Sequence, residues 1–105
     1  MGKERSNWTR KEKLLRQLVE DDAVVVLHHA FQRIEENSFS LEDLLNSLLA
    51  GRIIGEAKDE YKEAFDKKKY TVYGPGLFGN YVESVGKFVK DDDGNQFVLI
   101  TCYEA

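Results

Sequence analysis

The spacing of apolar residues changes along the chain, from a helical period in the first half to strand-like alternation near the end. Thr9 and Glu12 have the spacing of a capping box, which satisfies amide groups at the start of a helix. We therefore predict an amphipathic helix over residues 10–20, ended by three acidic residues that oppose its dipole. Its apolar stripe comprises Leu14, Leu15, Leu18 and Val19.

A short β-branched run over 23–27 follows and predicts a strand. A second helix is predicted from His28. A third is capped by Ser40 and ends at Gly51, where a residue in the left-handed conformation commonly stops a helix. The buried face of the second helix is predicted to carry Ala30, Phe31 and Ile34. The third carries leucines at 41, 44, 45, 48 and 49.

The last third of the chain has the alternation of β-structure, and the acidic stretch 91–95 is typical of a hairpin connection. Residues 52–56 suggest a brief additional strand, whereas the charged segment 57–69 fits a short helix or a long loop. The principal strands are predicted over 69–73, 81–90 and 96–104.

The final strand is apolar on both of its faces, which is typical of a central strand paired on each side. Strict alternation would place one set of residues on each face. The first set comprises Phe97, Leu99, Thr101 and Tyr103, and the second comprises Val98, Ile100 and Cys102.

These elements predict an α+β fold, with N-terminal helices packed on a mostly antiparallel sheet of about four strands. The length of 105 residues suits a single domain over 1–105, large enough to bury a core without disulfides. We expect residues 1–8 to form a flexible arm and residues 24–104 to form the core.

Composition favours a soluble globular protein, since 42% of the residues are hydrophobic and 32% are charged. Cys102 is the single cysteine, which excludes an internal disulfide and leads us to expect a cytoplasmic location. No apolar run approaches the ~20 residues of a membrane span, so we expect no membrane association. No motif calls for a cofactor.

The net charge of −4 is unevenly distributed. Residues 1–16 carry six basic and two acidic side chains, so their balance is +4 and the remainder of the chain carries −8. An acidic chain binds nucleic acid poorly because phosphate contacts require cations, although a basic arm could supply local attraction.

Two further motifs are better explained as turns. Gly74–Gly79 matches G-x-G-x-x-G, but a strand and not a helix is predicted to follow, so we interpret it as a turn or flap between strands. Asp91–Asn95 resembles the start of a calcium loop, yet its twelfth position is Cys102 and not a carboxylate. No metal site is predicted, because the strong ligands lack the usual paired spacing.

His29 and Arg33 form the most chemically suggestive pair, since they are four residues apart and share one face of the second helix. An imidazole can exchange a proton near neutral pH, and a guanidinium can hold a phosphate. Together they suit metal-independent cleavage of RNA. The alternative is structural: His29 closes the strand-to-helix turn through the backbone, and Arg33 pairs with Glu36 or Glu42.

Several short motifs, taken in order, resemble a bacterial family catalogued as domain of unknown function 4258. The resemblance rests on His29-Ala30, Arg33 and the capped leucine helix ending at Gly51. It resumes at Tyr70–Gly74 and Leu99–Tyr103, and it covers roughly residues 24–104. This family is similar to the RelE/ParE toxin group, in which N-terminal helices pack against an antiparallel sheet.

The resemblance implies a candidate site. His29, Arg33 and Tyr103 are its catalytic candidates, because ribonuclease relatives carry a contributing tyrosine on the last strand. Lys87 would join Arg33 in binding phosphate, as the single cation in the middle of its strand. The departure from the pattern is that the sheet-forming segment is acidic, whereas ribonuclease relatives tend to present a basic sheet.

Three hypotheses follow, and the favoured one is a non-catalytic, toxin-fold-like interaction module. It would bind an antitoxin-like protein partner or a second copy of itself, through the sheet or through an exposed apolar stripe on the first helix. The alternative is a metal-independent endoribonuclease that uses His29 and Arg33, with RNA as its substrate. A small-ligand pocket under the Gly74–Gly79 loop is a third possibility.

Overall fold

The computed structural model describes the backbone of residues 2–92 and 94–105, and the side chains of residues 7–92 and 94–105. The three helices lie in the first half of the chain and four of the five strands follow them, which is typical of an α+β fold. The helices are α1 (Gly2–Glu20), α2 (His28–Glu36) and α3 (Leu41–Ala50). The strands are β1 (Val24–Val26), β2 (Arg52–Lys58), β3 (Lys68–Pro75), β4 (Tyr81–Asp91) and β5 (Gly94–Glu104).

The five strands form one mixed sheet in the order β1-β5-β4-β3-β2. β1 lies parallel to β5, and the other neighbouring pairs are antiparallel. The predicted α+β class is confirmed. The helices do not all precede the sheet, however, because β1 is inserted between α1 and α2 and adds a fifth strand at the edge.

The helices cover one face of this sheet, which we call the helix face, and the opposite side is the open face. The core therefore lies in a single layer between helices and sheet. From the helices it contains Leu15, Leu18, Ala30, Leu44 and Leu48, and Phe39 joins it from the connection between α2 and α3. From the sheet it contains Ile53, Tyr70, Val72, Val82, Phe88, Phe97, Leu99 and Cys102.

Helix α1 begins at Gly2, so the predicted helix extends into the residues expected to form an arm. It packs against α3 and also contacts β2 and β5, and its buried Glu12 carboxylate accepts the Ile53 amide of β2 at 2.8 Å. Leu15 and Leu18 are 1% and 5% exposed. The proposal that the apolar stripe of this helix is an exposed partner surface is therefore wrong, because the stripe forms part of the core.

Helix α2 packs on β5 through a narrow stripe. Ala30 is fully buried and Ile34 packs partly against the core, but Phe31 is 45% exposed. The prediction that Phe31 faces the core is wrong, because α2 follows the end of the short edge strand β1 and covers only the C-terminal half of β5.

Helix α3 is capped as predicted. The Ser40 side chain accepts the Asp43 amide, and the Asp43 carboxylate accepts the Ser40 amide. Gly51 follows the helix with φ −90°, so the expected left-handed stop is wrong. Glycine is required here by close approach: a Cβ on Gly51 would lie 2.2 Å from the Ser47 carbonyl oxygen and 2.9 Å from Gly74 Cα.

The charged segment 57–69, predicted to form either a short helix or a long loop, contains a loop of turns over residues 59–67. Buried Asp59 organises it by accepting three backbone amides, from Tyr61, Glu63 and Ala64, at 2.9–3.2 Å. The loop then covers the end of β4, where the Phe65 amide donates to the Phe88 carbonyl. A helix was wrong for this segment because Asp59 competes for amides that a helix would use internally.

Strand β5 contains an extra residue opposite β4. Val85 pairs with Thr101, but the next residue, Gly86, pairs with Leu99, so Ile100 is a β-bulge. Beyond the bulge the alternation reverses, and Cys102 joins Leu99 on the helix face. The predicted grouping of Tyr103 with Leu99 on one face is wrong for this reason.

Within the described residues, none of the three helices combines the length and the apolar character required to cross a membrane.

Gly86 provides a test of the packing beside the bulge. A Cβ at this position would lie 2.3 Å from the Phe97 ring and 2.9 Å from the Val98 carbonyl oxygen. We expect Gly86→Ala to lower the free energy of unfolding by roughly 1–3 kcal/mol, as overpacked cores do. Urea denaturation measures the change.

Gly55→Ala is the matched control, since it places a methyl group in another strand with no atom within 4 Å. Its free energy of unfolding should change by only about 0.5 kcal/mol. Equal effects of the two substitutions would contradict the packing described around Phe97.

Candidate functional site

His29 and Arg33 lie on the exposed flank of α2. Within the described residues, no hydrogen bond or ion pair holds the His29 imidazole, so the structural alternative in which it closes the turn is not observed. Arg33 approaches Glu36 at 3.6 Å, and both side chains are largely exposed. Such a surface pair contributes little stability. The imidazole and the guanidinium are therefore both accessible.

Tyr103 lies on the other side of the sheet. Its neighbour Cys102 is fully buried on the helix face, where the thiol contacts the Ala30 carbonyl oxygen of α2 at 3.6 Å. Adjacent strand residues point to opposite faces, so the Tyr103 ring lies on the open face. There its hydroxyl group donates to the Glu83 carboxylate. This hydrogen bond raises the pKa of Tyr103 and makes the phenol a weaker acid.

The three catalytic candidates are thus divided between two surfaces. His29 and Arg33 belong to a helix packed on one face of the sheet, and Tyr103 projects from the opposite face. General acid–base catalysis requires groups within hydrogen-bonding reach of the same substrate atoms. Tyr103 joined the predicted site through the family resemblance, and the sequence carried no signal for the bulge at Ile100 that sets the face of this residue.

Lys87 is only 4% exposed and lies between two carboxylates. Its ammonium group is 3.4 Å from the Asp59 carboxylate and also pairs with Glu63. Burial alone would lower the pKa of Lys87, but Glu63 and Asp59 together raise it above the ordinary value. A lysine neutralised in this way serves to hold the 59–67 loop and is not placed to bind phosphate.

The open face instead carries a row of polar and aromatic side chains. Four residues lie directly opposite one another across adjacent strands, in the order Arg52, Tyr73, Glu83 and Tyr103. Tyr81, two residues before Glu83 on β4, stacks on Tyr73 with ring centroids 5.0 Å apart and an angle of 17° between the rings. Tyr73, Tyr81 and Tyr103, which we call the open-face tyrosines, are 37%, 44% and 42% exposed.

A known protein family matches most of the chain. The family described as "Domain of unknown function (DUF4258)" matches residues 26–104, from the end of β1 to the end of β5. The chain belongs to this family. Its segment of match, the DUF4258 segment, includes every candidate residue discussed above, whereas the whole of α1 precedes it. Comparisons with curated proteins and with solved structures found no match.

The glycine-rich motif of the DUF4258 segment joins two antiparallel strands, as predicted, and no helix follows it. The space that a phosphate would require is occupied by the Asp43 carboxylate, which accepts the Leu77 amide at 2.8 Å. The hydrogen bonds from Leu77 and Ser40 lower the pKa of Asp43, so it stays ionised at neutral pH. A bound anion would be repelled here. The loop nevertheless exposes apolar side chains, since Phe78 is 89% exposed and Leu77 is 51% exposed.

Neither Cys102 nor the two histidines belong to a metal-binding cluster among the described residues. Burial raises the pKa of Cys102 to about 11, which leaves the thiol protonated and unreactive, as expected for a core residue. Among the residues that the structure describes, no group of three or more His, Cys, Asp or Glu side chains is arranged to hold a metal ion.

Sequence reasoning missed the open-face tyrosines as a group. The available signal was alternation: Tyr73 lies between buried Val72 and Gly74, and Glu83 lies between buried Val82 and Ser84. This pattern identifies outward-facing residues on each strand. Their alignment in one row depends on the pairing register, which the sequence does not state.

The loop held by Asp59 generates a pH-dependent prediction. The Ala64 amide, and after it the Tyr61 amide and the Lys87 charge, lower the pKa of Asp59 below its ordinary value despite burial. Its stabilising effect is therefore complete above about pH 5 and is lost as the pH falls through about 4 and below. We expect Asp59→Asn to lower the free energy of unfolding by about 2 kcal/mol at neutral pH.

The difference between wild type and Asp59→Asn should shrink as the pH falls below about 4, because the unfolded chain then binds a proton at this carboxylate before the folded chain does. Urea denaturation over a pH series measures it. Glu60→Gln is the control, since Glu60 is exposed and only approaches Lys69 at 3.8 Å. A deficit of constant size at every pH would contradict the role assigned to the Asp59 charge.

Proposed function

We propose that this chain is a non-catalytic interaction module that binds a protein partner through the open face of its sheet. The observation that carries the proposal is the cluster of exposed rings on that face, formed by Tyr73, Tyr81 and Tyr103. Phe78 and Leu77 extend the apolar surface from the connecting loop. Tyrosine is enriched in protein interfaces because it combines a large rigid ring with a polar group.

The charge of the open face favours protein over RNA as the partner. Single-stranded nucleic acid also stacks on aromatic side chains, but it requires a cationic groove to follow the phosphates. Here Lys87 and Lys69 are paired with carboxylates, Glu83 lies among the tyrosines, and residues 17–105 carry a net charge of −8. Arg52 is the single cation in the row.

We place the protein in the cytoplasm and relate its fold to the RelE/ParE toxin group. Support for the location is the buried, reduced cysteine at position 102, which suits a reducing compartment. Support for the fold relationship is the packing of helices on one face of a mainly antiparallel sheet, which the sequence resemblance implies. A partner of the antitoxin kind and a second copy of the chain are both compatible with an exposed sheet face.

Affinity capture from source-cell extract tests the proposed interface. We expect Tyr73→Ser with Tyr81→Ser to weaken capture of a specific protein about tenfold or more, since tyrosines at interface centres commonly contribute that much. Quantitative mass spectrometry compares the retained proteins. Sedimentation over a concentration series detects the case in which the partner is a second copy.

Phe31→Ser is the matched control, because Phe31 is an equally exposed aromatic residue on α2. A partner that wild type and Phe31→Ser retain, but the double variant loses, supports the proposal. If folded wild type and double variant retain the same proteins and have the same mass in solution, the open face is not the interface.

A metal-independent endoribonuclease remains the alternative, favoured by the accessibility of His29 and Arg33 on one helix flank. Under this alternative, purified protein would cleave RNA in excess chelator, and His29→Ala would reduce the rate by roughly 10²-fold or more, as expected for loss of a general base. Electrophoresis of labelled RNA measures cleavage. His28→Ala is the adjacent control, and intact RNA after prolonged incubation excludes this function.

A further inference from the structure

Glu83 lies at the centre of the open-face tyrosines. Tyr73 and Tyr103 are its direct neighbours on β3 and β5, and Tyr81 precedes it by two residues on β4. Side chains at directly opposed positions are about 5 Å apart at Cβ, and residues two apart on a strand point to the same face. The carboxylate is therefore surrounded by aromatic rings on three of its four sides.

This carboxylate has unused hydrogen-bonding capacity. The Tyr103 hydroxyl donates one hydrogen bond to it, whereas an ionised carboxylate offers about four acceptor positions. Within the described residues, no lysine or arginine forms an ion pair with Glu83. Arg52 is in the same row but two strands away, which corresponds to about 10 Å.

The stacked pair of Tyr73 and Tyr81 supplies the second part of a cation site. Their rings are nearly parallel at a centroid distance of 5.0 Å, and each ring is partly exposed. The face of an aromatic ring attracts cations, and arginine in particular stacks on it through its planar guanidinium group. The same guanidinium can donate hydrogen bonds to a neighbouring carboxylate.

We propose that Glu83 and the open-face tyrosines bind an arginine side chain from a basic segment of the partner protein. The guanidinium would stack against the Tyr73–Tyr81 pair and donate to the Glu83 carboxylate. This inference rests on the proposed function, because it names the partner chemistry recognised by the same face. The complementary charge is present on the chain, since residues 17–105 carry −8.

Features around Glu83 favour a protein-borne arginine over a free cation or a nucleic acid. Phe78 and Leu77 present apolar surface on the adjoining loop, which suits apolar residues flanking an arginine in a polypeptide. The loop is fixed by Asp43, which accepts the Leu77 amide. A nucleic acid phosphate would instead lie beside the Glu83 carboxylate, with which no lysine or arginine among the described residues forms an ion pair.

The experiment uses the full chain and a defined probe, the peptide acetyl-Leu-Arg-Leu-amide. Its match is the same peptide with citrulline, which keeps the shape of arginine without the charge. Amide chemical shifts in NMR spectra report binding. We expect changes centred on Tyr73, Glu83 and Tyr103, with the citrulline peptide at least about tenfold weaker, as loss of a charge-assisted hydrogen bond implies.

Two variants test the carboxylate and the stacked rings of the site separately. Glu83→Gln should weaken the arginine peptide about tenfold and leave the citrulline peptide unchanged. Tyr81→Leu should weaken the arginine peptide several-fold through loss of ring stacking. Glu60→Gln, an exposed carboxylate on the 59–67 loop, should bind as wild type does. The spectrum of each variant also reports whether it is folded.

Two results would overturn the inference. One is the absence of arginine-dependent shifts at these residues up to about 10 mM peptide. The other is binding of a single-stranded RNA oligonucleotide to the tyrosines that becomes tighter in Glu83→Gln. The inference can also fail while the proposed function stands: if the captured partner is lost with Tyr73→Ser and Tyr81→Ser but kept with Glu83→Gln, the interface stands and arginine recognition does not.

Discussion

The single extra residue in β5 sets which side chains at the end of this strand lie on the open face of the sheet. Without the bulge at Ile100, Tyr103 would share the helix face with Leu99 and would lie in the core. With it, Cys102 takes the buried position against Ala30, and Tyr103 turns toward Glu83. Bulges commonly redirect side chains in this way beside functional surfaces. Tyr103 joins the open-face row because of this local irregularity.

The buried charged residues of the described chain serve its architecture. Glu12 satisfies an amide at the edge of β2, Asp43 fixes the glycine-rich loop, and Asp59 with Lys87 holds the 59–67 loop across the end of β4. Each is buried and hydrogen-bonded, as buried charges must be. Phosphate chemistry needs cations directed toward a substrate. Among the described residues, Lys87, one of the two cations predicted to bind phosphate, instead pairs with Asp59 and Glu63.

Much of the fold could be predicted from local sequence, because its signals act over a few residues. The capping box at Ser40, the leucine period of α3 and the two long strands of the final hairpin belong to this class. The bulge at Ile100 and the loop at 59–67 do not, since both depend on partners far along the chain. The same distinction applies to the candidate site. Local spacing predicts that His29 and Arg33 share one face of α2, whereas the face occupied by Tyr103 depends on the pairing of a distant strand.

Membership of the DUF4258 family does not by itself assign an activity, because one scaffold supports many activities. The informative feature is the chemistry of the open face, where rings surround a carboxylate that no cation neutralises among the described residues. The half-buried Glu83 carboxylate, set among aromatic rings, suits a partner that brings a weakly hydrated cation such as a guanidinium group. This chemistry supports the proposed recognition of a basic polypeptide over the alternative of a phosphate substrate.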